Sequence, residues 1–175
     1  MNMVPDRDGP VTRLLFRGLT ALNVAGALLV LTLLVIINID SLSRTFLSIS
    51  FLGVTEVVEL SLVAIVFLQL GDAIRSGRLT RSDGLLTLLG ERAPRLRALL
   101  HLVFDLIAAA FMALIVAGGV PRMIESYQRG EFKGTAQLFT VPEWPVKLII
   151  VIGATAAIVA FLISAWREFR RMTQR

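Results

Sequence analysis

Four long apolar runs, separated by short polar stretches, set the rhythm of the chain. The first, residues 19–39 (LTALNVAGALLVLTLLVIINI), carries no charge over about the 20 residues that a helix rising ~1.5 Å per residue needs to cross a bilayer. The second, about 52–70, contains Glu56 and Glu59 near its start, and its charge-free core runs only from Leu60 to Leu70. A core that short also suits a buried soluble helix, and the neighbouring runs decide for the membrane. The third, about 98–120, holds His101 and Asp105 in its first half. The fourth, about 146–166, follows Pro142 and Pro145, and proline is well tolerated at a helix start. The pattern predicts an all-α integral membrane protein, a single membrane domain over 1–175 with four transmembrane helices.

The polar stretches are too short for folded domains. Met1–Gly18 reads as a tail in which Pro5 and Pro10 discourage helix, and Ser41–Ser50 as a short connection. A cleaved signal peptide has an apolar core of only ~7–15 residues followed by small residues, whereas Asn38, Asp40 and Arg44 follow the first run, so that run is expected to stay as a span. Between the second and third spans, six arginines accompany the piece DGLLTLLGERAP. Ser82 or Asp83 can cap a helix there, and Leu85, Leu86, Leu88 and Leu89 are too few to cross. A short amphipathic surface helix at about 82–90 is expected, its arginines toward anionic lipid and its leucines dipping inward. The longest connection, 121–145, spaces Tyr127, Phe132, Phe139 and Trp144 as interfacial aromatics, and Trp166 marks the exit of the last span.

Charge gives the orientation. The N-terminal tail, the second connection and the C-terminal tail hold thirteen Lys and Arg, and the first and third connections hold five. The asymmetry predicts both termini and the arginine-rich connection on the cytoplasmic side.

Composition agrees and narrows the chemistry. A hydrophobic fraction of 55% and a mean hydropathy of +0.76 are too apolar for a soluble domain of 175 residues. The net charge of +5 does not indicate nucleic acid, because the arginines flank apolar runs instead of forming one basic face with interleaved aromatics. With no cysteine and one histidine, thiol catalysis, iron–sulfur ligation, thiolate zinc, bis-histidine haem and HExxH zinc chemistry are excluded within this chain. The GDAIRSG piece lacks the Lys-Ser or Lys-Thr of a phosphate-binding loop. No cofactor is expected, and an enzyme would need a nucleophile or metal that the composition nearly forbids.

A carboxylate inside a span costs about 2.5–3.5 kcal/mol on insertion scales, so Glu56, Glu59 and Asp105 need a reason. They are expected to meet structural partners inside the bundle or at an interface, as are Arg75, Arg81 and Asp83 in the turn after the second span. Glu59 in the outer half and Asp105 in the inner half do not form one two-carboxylate site. A hydrogen-bonded cluster of Asn23, His101 and Asp105 is open, and so is His101 in the headgroup region. Small residues recur at Ala109, Ala113 and Ala117, and at Gly153 and Ala157 with Ala156, Ala160 and Ser164, forming ridges that let helices approach closely.

The run FLQLGDAIRSGRLTRSDGLLTLL, four spans with both ends inside, and a glutamate early in the second span together resemble the small membrane subunit, the Q subunit, of tripartite ATP-independent periplasmic (TRAP) transporters. Arg75, Gly77, Arg81 and Asp83 match the family's arginine, glycine, and later arginine and aspartate, while Leu79 stands where histidine is common and Thr80 and Ser82 replace hydrophobes. Val141, Pro142, Glu143 and Trp144 are similar to its hydrophobe-proline-x-tryptophan lead into the last span. The resemblance implies a secondary transporter of the bacterial inner membrane, in which a periplasmic binding protein delivers the solute, often a carboxylate, and a large multi-span permease subunit holds the substrate and sodium sites. The small subunit is then a non-catalytic companion that extends the permease's scaffold. The alternative on the residues alone is a self-assembling four-span channel or small exporter, with Glu59 and Asp105 lining its pore.

Overall fold

In a computed structural model of the chain, residues 10–49, 51–77, 94–134 and 140–173 are described. Four long helices dominate: α1 (Pro10–Leu47), α2 (Val54–Arg75), α3 (Pro94–Arg129) and α4 (Trp144–Thr173). All four are long and apolar enough to cross a membrane. Within hydrocarbon no water can satisfy a backbone amide, so an uncharged run of this length closes its own hydrogen bonds as a helix.

The helices reach well past the apolar runs that predict them. At ~1.5 Å per residue, the 38 residues of α1 measure about 57 Å against a hydrocarbon thickness of ~30 Å. The region 10–18, expected as tail, is helical, because Pro10 sits at the first helical position, where its missing N–H costs nothing. Likewise α2 continues through Asp72 to Arg75, placing both in a helical turn instead of a loop. The third helix runs on through Pro121 to Arg129, turning the first part of the expected 121–145 connection into helix. Gly130 then ends it at φ 62°, a left-handed position that glycine adopts without strain, and the Glu131 amide closes back on the Ser126 carbonyl at 3.0 Å. Two two-residue strands, β1 (Phe132–Lys133) and β2 (Val141–Pro142), pair antiparallel ahead of α4, a feature the all-α expectation does not contain. The expected surface helix at 82–90, with Arg81 and Asp83, lies outside the described residues.

The principal contacts run α1 to α2, α2 to α4, and α4 to α3, so α4 lies between α2 and α3 while α1 flanks α2. Residues of all four helices meet in one core: Leu19, Ile74, Ala109, Ala157, Ala160 and Phe161. The small face of α4 makes this possible. Ala154 and Ala157 are fully buried, and a Cβ on Gly153 would collide with the Phe67 carbonyl of α2. On α3, Ala109 is buried, but Ala113 and Ala117 point outward, so only part of that ridge is used inside the chain.

Candidate functional site

The up-and-down order of the helices gives the molecule two polar ends, and the site residues divide between them. At one end meet the start of α1, the end of α2 and the end of α4. Here Asp72, 3% exposed, is the hub. Its Oδ1 accepts from Arg75 Nε at 3.1 Å and Nη2 at 2.8 Å, and its Oδ2 accepts from Asn23 Nδ2 at 3.1 Å. Asn23, which the sequence leaves open to a cluster with His101 and Asp105, is tied to Asp72 of α2. Arg75 also reaches the Thr20 hydroxyl at 3.4 Å and lies 5.2 Å from the Phe16 ring centroid, while Arg167 of α4 lies 5.1 Å from the same centroid. One carboxylate and one ring thus fasten three helices. Beyond them Trp166 stacks on Phe169 at 6.3 Å, and Arg170 lies 5.5 Å from the Trp166 centroid.

Asp105 is buried, 1% exposed, one helical turn from Ala109 of the core and on the same face of α3; His101, a further turn away, is half-buried.

At the opposite end, the α1–α2 turn and the β1–β2 hairpin meet. Asp40, 7% exposed, accepts from the Phe51 amide at 3.1 Å and from Arg44 Nε at 2.8 Å, closing the tight connection between α1 and α2. Glu59 is engaged by Lys133 of the hairpin at 2.5 Å, and Glu56 is half-buried one turn earlier on α2. Lys147, in the first turn of α4, bonds Glu131 at 2.7 Å and Glu143 at 3.1 Å, and the Glu143 amide donates to the Glu131 carbonyl at 3.2 Å. The hydrogen bond from Lys147 holds the Glu131 carboxyl below its ordinary value of 4.5. Trp144 meets Tyr127 edge to face at 5.6 Å, joining the end of α3 to the start of α4.

Glu59 and Asp105 accordingly belong to different neighbourhoods. Among the described residues, no group of three or more acids or histidines could hold a metal ion. Of the residues the sequence singles out, the structure brings Arg75 onto the buried Asp72 and Glu59 into an ion pair. The hub Asp72 is missed by sequence reasoning because it borders a polar turn; its spacing of three from Arg75, which puts both on one helical face, is the available signal.

Comparison with family models matches residues 33–171 to the DctQ component of tripartite ATP-independent periplasmic transporters. The chain belongs to this DctQ family. Comparisons with curated proteins and with solved structures give no match. The match begins within α1 and takes in α2, α3, the hairpin and nearly all of α4, so the hairpin end falls inside it, while Phe16, Thr20 and Asn23 of the other end precede it. As a DctQ component, the chain is a multi-pass membrane constituent of a transporter.

Proposed function

We propose that this DctQ chain is the small, non-catalytic subunit of a sodium-coupled tripartite importer, and that it scaffolds a large multi-span permease subunit which receives a small carboxylate-type solute from a periplasmic binding protein. The observation that carries the reading is the use made of the polar residues at both ends. Asp72 is fastened by Asn23 and Arg75, Glu59 by Lys133, and Glu131 by Lys147, so these acids bind the chain to itself and not to cargo. A chain that closes its polar groups internally yet turns Ala113, Ala117 and most of the apolar surface of α1 outward suits a companion that lies against other helices.

In this reading the Asp72–Arg75–Arg167 end is cytoplasmic, with both termini, and the Glu59–Lys133 hairpin end faces the periplasm of a bacterial inner membrane, an orientation that the distribution of Lys and Arg supports. Glu56, Glu59, Asp105, Arg75, Arg81 and Asp83 act as structural or inter-subunit contacts, and Trp144 and Trp166 as anchors at the two membrane surfaces. The test is coexpression of a tagged form with a large permease subunit of the same transporter family. Copurification of a stable two-subunit complex is expected. A symmetric homo-oligomer that leaves the permease behind would instead support the channel alternative.

A further inference from the structure

We propose that the seam between the ends of α1, α2 and α4 binds the phosphate of an anionic phospholipid, with Arg75 and Arg167 presented across Phe16. Three arginine–aromatic contacts are found among the described residues, and all three lie at this end: Arg75 and Arg167 at Phe16, and Arg170 at Trp166. Arg13, Arg17, Arg75, Arg167 and Arg170 are all exposed, against Asp72 and Glu168 as the acids of the same three helix ends, so the seam is positive. Asp72 grips Arg75 from the buried side, through Nε and one Nη2, and that bond fixes the direction of the guanidinium. Arg167 comes to the same ring from α4, so two different helices each bring a cation to Phe16. Planar guanidiniums suit phosphate oxygens, which they can bond through two N–H groups at once.

A lipid, and not free phosphate, is the occupant that the surroundings favour. Leu162, Trp166 and Phe169, at i, i+4 and i+7, form an exposed apolar strip along α4. The stacked Trp166–Phe169 pair has the chemistry of the headgroup boundary, apolar on its faces and next to a cation. A phosphate at the arginines therefore has an apolar surface beside it for its acyl chains. The inference uses the membrane-spanning fold alone and does not depend on which subunits accompany the chain.

The test is native mass spectrometry of the full-length chain, extracted in mild detergent with any subunits that accompany it, and offered equal amounts of phosphatidylglycerol and phosphatidylethanolamine. The wild type is expected to retain phosphatidylglycerol at least fivefold over phosphatidylethanolamine. Arg167→Gln should lower that retention about fivefold, the effect of one arginine near an anionic surface. Phe16→Leu, which keeps an apolar side chain but removes the ring, should lower it about two- to fivefold. Arg122→Gln, at an exposed position near the opposite end, should leave it unchanged. Equal retention of the two lipids, or full retention by Phe16→Leu and by a folded Arg167→Gln, overturns the proposal. Displacement of the lipid by millimolar inorganic phosphate also overturns it, because the seam would then be a general anion site.

Discussion

At the scale of single residues, Asp72 is the most exposed to test. Replacing it by Ala removes the acceptor for Asn23 and for two nitrogens of Arg75 while leaving those donors in place. Breaking a fully buried ion pair costs about 3–5 kcal/mol, and because the Arg75 side chain is 31% exposed, a loss of about 2–3 kcal/mol is expected for Asp72→Ala in denaturant unfolding of the detergent-solubilised protein. Glu131 gives a pH dependence of defined sign. Its carboxyl titrates lower in the folded chain than in the unfolded one, so the ionised form stabilises the hairpin above about pH 4.5, and that contribution is lost as pH falls through the depressed folded value. Fluorescence of Trp144 in a Trp166→Phe background should stay constant down to about pH 4.5 and change below it, with Glu131→Gln removing the transition. The sequence shows that acids inside spans require partners, and Glu59 has one in Lys133. It does not show which partner, because Asn23 and Asp72 are 49 residues apart and only the antiparallel crossing of α1 and α2 brings them together.

At the scale of elements, the apolar runs were sufficient to locate the helices and insufficient to end them. Hydropathy marks where lipid must be, but a helix continues into water as long as nothing breaks it, which is why α1 keeps Asp40, Ser41 and Arg44 inside its last turns and α3 keeps Arg122 and Glu125. The β1–β2 pair has too little apolar alternation to register as strand and is held instead by the ion pairs of Lys133 and Lys147. The small residues of α4 were legible as a contact ridge, though not which helix they contact: Gly153 proves to lie against the backbone of α2 at Phe67. Gly153→Leu should therefore separate α2 from α4. The overpacking cost is about 1–3 kcal/mol or more, since the obstacle is main chain and not a side chain free to turn, and a lowered melting temperature in detergent is the measurement. Ala117→Leu, on the outward side of α3, should leave the isolated chain's melting temperature unchanged.

At the scale of the whole molecule, four helices, two internally bonded polar ends and an outward apolar surface are consistent with the proposed reading of a part that lies against a larger one. The DctQ family supplies the setting, that of a transporter component. If Glu59 serves the hairpin and not a conduction path, Glu59→Gln in the assembled transporter should keep solute uptake within about twofold of wild type, because it removes an exposed ion pair worth about 0.2–1 kcal/mol. Loss of transport with the complex intact would return Glu59 to the pathway. The most direct measurement is solute uptake into proteoliposomes under an inwardly directed sodium gradient, comparing this chain alone, the permease with this chain, and both with the binding protein. No uptake by the chain alone and uptake only when all three are present is the expected result; solute entry driven by the lone chain would contradict the claim that it is a companion and not the carrier.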